Sequence, residues 1–185
     1  MRKSLQHFAF ETDMVVTVYG ERGRCTRVYW SDGTMEDFPV KMETVLKNLA
    51  GAYGKTPQAI RKHWRQVQSL CGEPLLGRMM PLSISPALVL MPVRVAMETV
   101  GRDSATGYVN LAHAPMFQEI LEENGARCRI VFSEHAHVLD TSWRLGTLQQ
   151  HRRIAWMFCQ SEWERCRQEL RMRSAECIAV GWYQN

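Results

Sequence analysis

The sequence has no apolar run long enough to cross a membrane as a helix. Such a helix needs about 20 consecutive apolar residues, whereas the most apolar stretch, residues 81–93, is interrupted by three prolines. The N-terminus also lacks the long apolar segment and the small-residue cleavage site of a secretory signal peptide. We therefore expect a cytoplasmic protein without a membrane partner.

Closely spaced cysteines are missing as well. The six cysteines are scattered along the chain without a Cys-x-x-Cys pair, so we expect reduced thiols and not a disulfide framework. His135 and His137 alternate in a predicted hairpin. A zinc site needs about three or four ligands, so we favour a solvated turn here and predict no metal site.

Short motifs for catalysis are absent too. There is no Gly-x-Ser-x-Gly sequence and no cysteine next to a histidine, so no activated nucleophile is indicated. Gly54, Lys55 and Thr56 match the end of a phosphate-binding loop, but position 49, where that motif requires glycine, is leucine. These absences favour a protein that is not an enzyme and needs no cofactor.

The chain does have the composition of an ordinary globular domain with a modest positive charge. Of its 185 residues, 45% are hydrophobic and 23% are charged, and the net charge is +4. A chain of this length can bury a sizeable core as one domain or as two closely packed halves. The charge permits an anionic partner such as nucleic acid but does not demand one.

The first half, residues 1–74, is predicted to begin with a three-stranded antiparallel meander. Runs rich in valine and aromatic residues at 15–19 and 26–30 are typical of strands. Asp32 and Gly33 supply the positive φ angles that a hairpin turn needs. A short return strand is expected to end at the following proline.

Two helices are predicted to follow this meander. Apolar residues recur at helical spacing in residues 41–54. Thr56 and Pro57 are the residue types that favour a helix N-cap and first position, so a second helix is predicted over residues 56–70. Its outer face is expected to carry three basic residues: Arg61, Lys62 and Arg65.

The second half, residues 75–185, is predicted to open with two short strands. These are separated at Ser85 and Pro86, and the second is expected to end at Pro92. A polar loop follows, and then a further strand around Tyr108.

Three more elements are predicted after this strand. Residues 114–127 show apolar residues at helical spacing and are predicted to form a helix that Gly125 ends. A second hairpin is predicted over residues 128–140, and a long, basic helix from about residue 142 to about residue 174.

Together these elements predict an α+β fold of two antiparallel β-meander units with helices, packed together beside a long C-terminal helix. Residues 25–46 and 128–149 superpose as strand–turn–strand–helix units. They are either a pseudo-twofold duplication or a chance likeness of hairpins. The halves 1–74 and 75–185 are expected to form one compact unit.

Residues 81–113 place Pro-Leu-Ser-Ile before Met-Pro-Val, a polar loop with Arg102, Gly-Tyr-Val and His113. This stretch resembles the ComK family of bacterial competence transcription factors. In that family a Pro-Ile-x-Val strand precedes Phe-Pro-Thr, a polar loop with Arg, Gly-Trp-Ile and a His. The matching positions here are residues 81–84, residues 91–93, Arg102, residues 107–109 and His113. The likeness covers roughly residues 80 to 160. Several identities differ from the family pattern, among them Val93 for Thr, Thr106 for Cys and Tyr108 for Trp.

The first half is also similar to LytTR-type DNA-binding domains. There, a comparable meander and helix are followed by an Arg-x-His-Arg-Ser-Tyr-Leu-Val-Asn segment. Arg61, His63 and Val67 occupy matching positions in this chain.

Both resemblances imply a DNA-binding transcription regulator. The ComK likeness implies a homodimer or larger homo-oligomer that binds AT-rich promoter DNA from the minor-groove side and activates competence genes. Arginines at loop tips suit that groove, where the negative potential is deepest. The candidate DNA-binding residues are Arg22, Arg24, Arg61, Lys62, Arg65, Arg78, Arg102, Asn110 and His113. For the last two, the alternative role is local capping or a buried hydrogen bond.

A protein-interaction or sensor module on the same scaffold is the alternative function. DNA binding predicts that Arg22, Arg24, Arg102 and their neighbours share one continuous positive face. An interaction module instead predicts scattered arginines and an exposed apolar patch.

Overall fold

Nine strands, three α-helices and one short 3-10 helix (Leu111–His113) lie in the described part of the computed structural model, which covers residues 11–20, 23–71, 79–96, 105–123, 125–132 and 137–182. All of the strand pairs are antiparallel, and the predicted α+β class is confirmed. The strands are β1 (Thr12–Gly20), β2 (Gly23–Trp30), β3 (Met35–Phe38), β4 (Leu82–Ser85), β5 (Leu88–Val95), β6 (Ala105–Asn110), β7 (Met116–Glu123), β8 (Ala126–Phe132) and β9 (His137–Thr141). The helices are α1 (Met42–Ala52), α2 (Pro57–Cys71) and α3 (Leu145–Trp182).

The predicted first meander is confirmed as β1, β2 and β3. Gly33 at its second turn has a φ of 82°, a backbone conformation that glycine adopts without steric cost. The Asp32 carboxylate accepts hydrogen bonds from the backbone N–H of Thr34 at 2.9 Å and from its hydroxyl. The side chain of Asp32 therefore fixes the turn.

Both predicted helices of the first half are also confirmed. The apolar stripe of α1 is buried against the sheet, as its spacing predicts. Thr56 caps α2, since its hydroxyl oxygen accepts a hydrogen bond from the backbone N–H of Ala59 at 3.2 Å.

The helix predicted over residues 114–127 is wrong. Met116–Glu123 forms strand β7, which pairs with β8. Leu121, one of the apolar residues on which that prediction rests, is 95% exposed. The sequence Asn124-Gly125 is a strong hairpin signal, and Gly125 has a φ of 77°. This glycine turns the chain between two strands and does not end a helix.

Pro92 does not end its strand, contrary to the sequence prediction. It lies inside β5, opposite Tyr108 of β6. Among the described residues, the other side of β5 pairs with β4 only at residues 88–90 and with β9 only at Val95. Proline is tolerated where a strand has an open side, because its missing N–H has no partner to lose.

The sheet crosses the boundary between the two halves. Its strand order is β3-β2-β1-β6-β5-β9-β8-β7, with β4 paired to β5. The first meander (β1–β3) and the second meander (β7–β9) both appear in this order from their last strand to their first. A twofold axis normal to the sheet would reverse the order of one of them, so such an axis does not relate the two. The pairing of β1 with β6 joins the first half to the second.

The sheet curls until its second meander covers one face of the first. The Nε2 atom of His137 in β9 lies 2.8 Å from the carbonyl oxygen of Trp30 in β2, although three strands separate β9 from β2 in the sheet. One core cluster forms where Val15 and Val28 face the helices, and a second where Met14 and Val16 face the covering meander. Helix α3 contributes to both clusters.

Gly107 of β6 lies close to residues of the strands on both sides, β1 and β5, and a substitution there tests this packing. A Cβ atom at Gly107 would lie 2.9 Å from Cγ2 of Val95 and 3.5 Å from the carbonyl oxygen of Val15. Because strands flank β6 on both sides, we expect Gly107→Ala to lower the free energy of unfolding by about 1–3 kcal/mol in urea denaturation. Gly51→Ala is the control, since nothing lies within 4 Å of its added Cβ. Equal stability of the two variants would contradict the close approach.

Candidate nucleic-acid interface

Helix α2 presents a basic face to solvent. Ile60, Trp64 and Val67 are 4%, 7% and 7% exposed and point into the core. With 3.6 residues per turn, this inner stripe leaves the opposite side of the helix in water. The exposed side carries Arg61, Lys62 and Arg65. We call these three residues the basic face of α2.

The basic face of α2 carries free charge. Among the described residues, none of its three cations has an acidic partner within ion-pair distance. Other arginines of the chain are paired: Arg27 binds Asp37 at 2.6 Å, and Arg129 binds Asp140 at 2.8 Å. Unpaired guanidinium groups remain able to bind phosphate.

A cleft of about 540 Å³ adjoins the basic face. It brings together Arg24 from the start of β2, Lys47 from α1 and Arg61 from α2, with Tyr108 of β6 on its wall. We call these four residues and the space between them the basic cleft. Two predicted site residues that lie 37 positions apart in sequence, Arg24 and Arg61, therefore share one surface.

Tyr108 is the residue that stands where the ComK pattern has tryptophan. Burial raises the pKa of Tyr108 to about 12, while the charge of Arg61 lowers it and that of Glu43 raises it. The phenol therefore keeps its proton throughout the physiological range and can donate a hydrogen bond.

Three of the predicted site residues, Arg22, Arg78 and Arg102, lie outside the described residues. For Arg22 and Arg102, the flanking strands are described, and their ends lie at the same end of the sheet. Gly20 pairs with Gly23 on either side of residues 21–22, and Val95 pairs with Ala105 on either side of residues 97–104. The register of β1 with β6 places both pairs at one end of these neighbouring strands.

Asn110 has the buried structural role and not the DNA-binding one. Its side chain is fully buried. The side-chain oxygen accepts hydrogen bonds from the N–H groups of Val89 and Ala112, each at 3.1 Å. The side-chain nitrogen donates to the carbonyl oxygens of Thr12 and Ala87, each at 2.9 Å. No surface of Asn110 is left to contact DNA, so we leave it out of the interface.

His113 is likewise held by an internal partner. Its Nδ1 atom lies 2.6 Å from Oδ1 of Asp13, a carboxylate that is completely buried. The contact ties the short turn after β6 to strand β1. We therefore leave His113 out of the interface as well.

A buried ionic cluster behind α2 was not predicted from the sequence. Glu162 of α3 is 4% exposed. Its carboxylate lies 3.1 Å from Nζ of Lys55, 3.2 Å from Nε2 of His63 and 3.0 Å from Arg165. We call these four residues the Glu162 cluster. Nζ of Lys55 donates a hydrogen bond to Oε1 of Glu162, whereas Nε2 of His63 approaches Oε2 without forming one. Since Lys55 precedes α2, its bond ties the start of α2 to α3.

The described residues contain neither a metal-binding group nor a helix suited to a bilayer. No set of three or more His, Cys, Asp or Glu side chains among them is arranged to hold a metal ion. None of their helices is both long enough and apolar enough to span a membrane.

No family model, no curated protein and no solved structure matches this chain. The ComK and LytTR resemblances therefore stay predictions from the sequence.

Proposed function

We propose that this chain is a DNA-binding transcription regulator that binds through the basic cleft and the basic face of α2. The observation that carries the proposal is the meeting of Arg24 and Arg61, from different elements, on one surface that continues to Lys62 and Arg65. Such a surface can follow a run of phosphates, because its cations are spread along a helix and have no described acidic partner.

The ComK resemblance supports the finer part of this proposal. It implies AT-rich promoter DNA, a homodimer or larger homo-oligomer, and activation of competence genes. In this scheme α2 and Arg24 bind the phosphate backbone. Arg22 and Arg102 stay candidates from the sequence for contacts in the narrow minor groove, and both lie outside the described residues.

The proposal predicts the effect of the double variant Arg61→Ala/Arg65→Ala. Removing two phosphate contacts should weaken binding by roughly tenfold for each contact. It should also lower the slope of log K against log salt by about 2. A mobility-shift titration at two salt concentrations, on AT-rich and GC-rich duplexes of equal length, measures both quantities. We expect the loss to be similar on both duplexes, since phosphate contacts carry no sequence information.

The matched control is Arg171→Ala, which removes an exposed arginine from α3, away from the basic cleft. Its affinity and salt slope should equal those of the unmodified chain. Circular dichroism confirms that each variant keeps its fold. If the double variant binds DNA as tightly as the control does, the basic face is not the interface.

The alternative, a protein-interaction module, is favoured by an apolar row on the second meander. Met116, Val131 and Val138 are cross-strand neighbours in β7, β8 and β9, and Met116 and Val138 are each 46% exposed. Failure of the unmodified chain to shift either duplex at low salt would favour this module over the regulator.

A further inference from the structure

The basic cleft has a second set of walls that DNA binding does not use. Besides its cations it is lined by aliphatic side chains, among them Met42, Leu46, Ile60 and Leu82. From this pairing of apolar walls with cations we infer that the cleft binds a small amphipathic acid, a carboxylate on a medium-length alkyl chain, and that this ligand competes with DNA.

The apolar walls come from three elements and are mostly buried already. Met42 and Leu46 of α1, Ile60 of α2 and Leu82 of β4 are at most 9% exposed and offer little surface to a ligand. The half-buried lining residues Pro57, Met79 and Met80 keep accessible apolar surface. The cleft volume of about 540 Å³ falls within the range of about 300–1,000 Å³ that small-molecule sites occupy. An alkyl chain that enters it removes its own apolar surface from water, a gain of about 0.8 kcal/mol for each buried CH₂.

The charges of the cleft select the ligand's head group. Arg24, Lys47 and Arg61 contribute three positive charges, and Glu43 contributes one negative charge. Neither Arg24 nor Arg61 has an ion-pair partner among the described residues. A carboxylate can accept two parallel hydrogen bonds from one guanidinium group, which makes it a matched head group.

Tyr108 adds a neutral donor to this site. Its phenol lies within the field of both Arg61 and Glu43 and holds its proton at neutral pH. A protonated phenol can donate a hydrogen bond to a carboxylate oxygen of the ligand. It adds a contact for the head group, while the arginines supply the preference for an acid over an alcohol of the same length.

Competition with DNA rests on the proposed function, whereas binding of the acid does not. Both ligands would use Arg24 and Arg61, so each excludes the other if both bind at this surface. Linkage then requires that DNA weaken the acid's binding by the same factor by which the acid weakens DNA binding.

Decanoate is the probe that tests the site, and decanol and acetate are comparison compounds that each lack one of its two features. Isothermal titration of the full chain should give saturable binding of decanoate, below its micelle concentration. Acetate lacks the apolar body and decanol lacks the charge, so each should bind at least about tenfold more weakly. Equal binding of decanol and decanoate would overturn the inference, and so would no binding of decanoate.

Two variants identify the groups that bind the acid. Arg61→Ala should weaken decanoate binding by roughly tenfold, the cost of one charged hydrogen-bonded contact. Tyr108→Phe keeps the ring but removes the donor, and should weaken binding by about threefold to tenfold. Arg171→Ala should leave it unchanged. Unaltered decanoate affinity in Arg61→Ala would place the ligand elsewhere and overturn the site.

A mobility shift with decanoate present separates this inference from the proposed function. Release of the AT-rich duplex by decanoate, but not by acetate or decanol at equal concentration, supports competition at the shared arginines. If decanoate binds and the duplex stays bound, competition fails while the acid site stands. If decanoate binds and the chain shifts no duplex under any condition, the regulator proposal fails and the acid site again stands.

Discussion

Glu162→Ala is expected to lower the free energy of unfolding by about 3–5 kcal/mol, which is the usual cost of removing one partner from a buried ion pair. Glu162 is 4% exposed as a residue, and the side chain of Lys55 beside it is 24% exposed. Without the carboxylate, the partner that Lys55 keeps among the described residues is the carbonyl oxygen of Ser83, at 3.1 Å. Because Lys55 retains some contact with water, the loss should fall near the lower end of that range.

Urea denaturation at pH 7 measures this loss, with Glu164→Ala as the control. Glu164 lies on the same helix two residues away but is exposed, so its removal should change stability by less than about 0.5 kcal/mol. A loss in Glu162→Ala no larger than in the control would show that the Glu162 cluster does not stabilise the fold.

The same carboxylate gives the protein a defined response to acid. Burial by itself would raise the pKa of Glu162, but the charges and hydrogen bonds of Lys55 and Arg165 outweigh burial and hold this pKa below its ordinary value of 4.5. A lowered folded-state pKa means that the stabilisation is fully present above about 4.5 and is lost as the pH falls through the lower value. Glu162→Ala should therefore lose less stability than the unmodified chain does between pH 5 and pH 3.

Asn110→Ala is expected to destabilise the fold by about 3 kcal/mol or more. Four backbone groups, on Thr12, Ala87, Val89 and Ala112, lose their side-chain partner at once. An unsatisfied buried polar group costs about 1–3 kcal/mol, and water that enters the vacated space would repay only part of that sum. Asn110→Asp should also destabilise, because it replaces the donor that faces two carbonyl oxygens with an acceptor.

Thermal and urea unfolding measure this effect, and Gln118→Ala is the control because Gln118 is an exposed polar residue on β7. The DNA affinity of folded Asn110→Ala should equal that of the unmodified chain, since Asn110 has no exposed surface. Unchanged stability together with weakened DNA binding would return Asn110 to the interface.

Local patterns predicted the parts of the fold that local interactions determine. The Asp32-Gly33 turn, the Thr56 cap and the inner stripe of α2 each depend on neighbours within a few residues. The basic face of α2 follows from the same periodicity. β7 was predicted wrongly because a run of apolar residues fits a helix or a strand, and its pairing with β8 decides between the two.

Contacts between distant residues account for what the sequence could not predict. Lys55 and Glu162 are 107 positions apart, and the partners of Asn110 include Thr12, 98 positions away. No spacing rule connects such residues before the sheet order is known. The cleft shared by Arg24 and Arg61 likewise depends on how α2 packs against the curled sheet.

The position of β1 inside the sheet has a consequence for synthesis of the chain. One neighbour of β1 is β2, which follows directly, but the other is β6, whose residues emerge from the ribosome about 90 positions later. During that interval the edge of β1 that later pairs with β6 has no partner, and the valines that the fold buries, Val15 and Val16, are exposed. An exposed apolar edge of this kind can pair with other chains. At about 5–20 residues per second, the exposure lasts several seconds, long enough for a holding chaperone to bind.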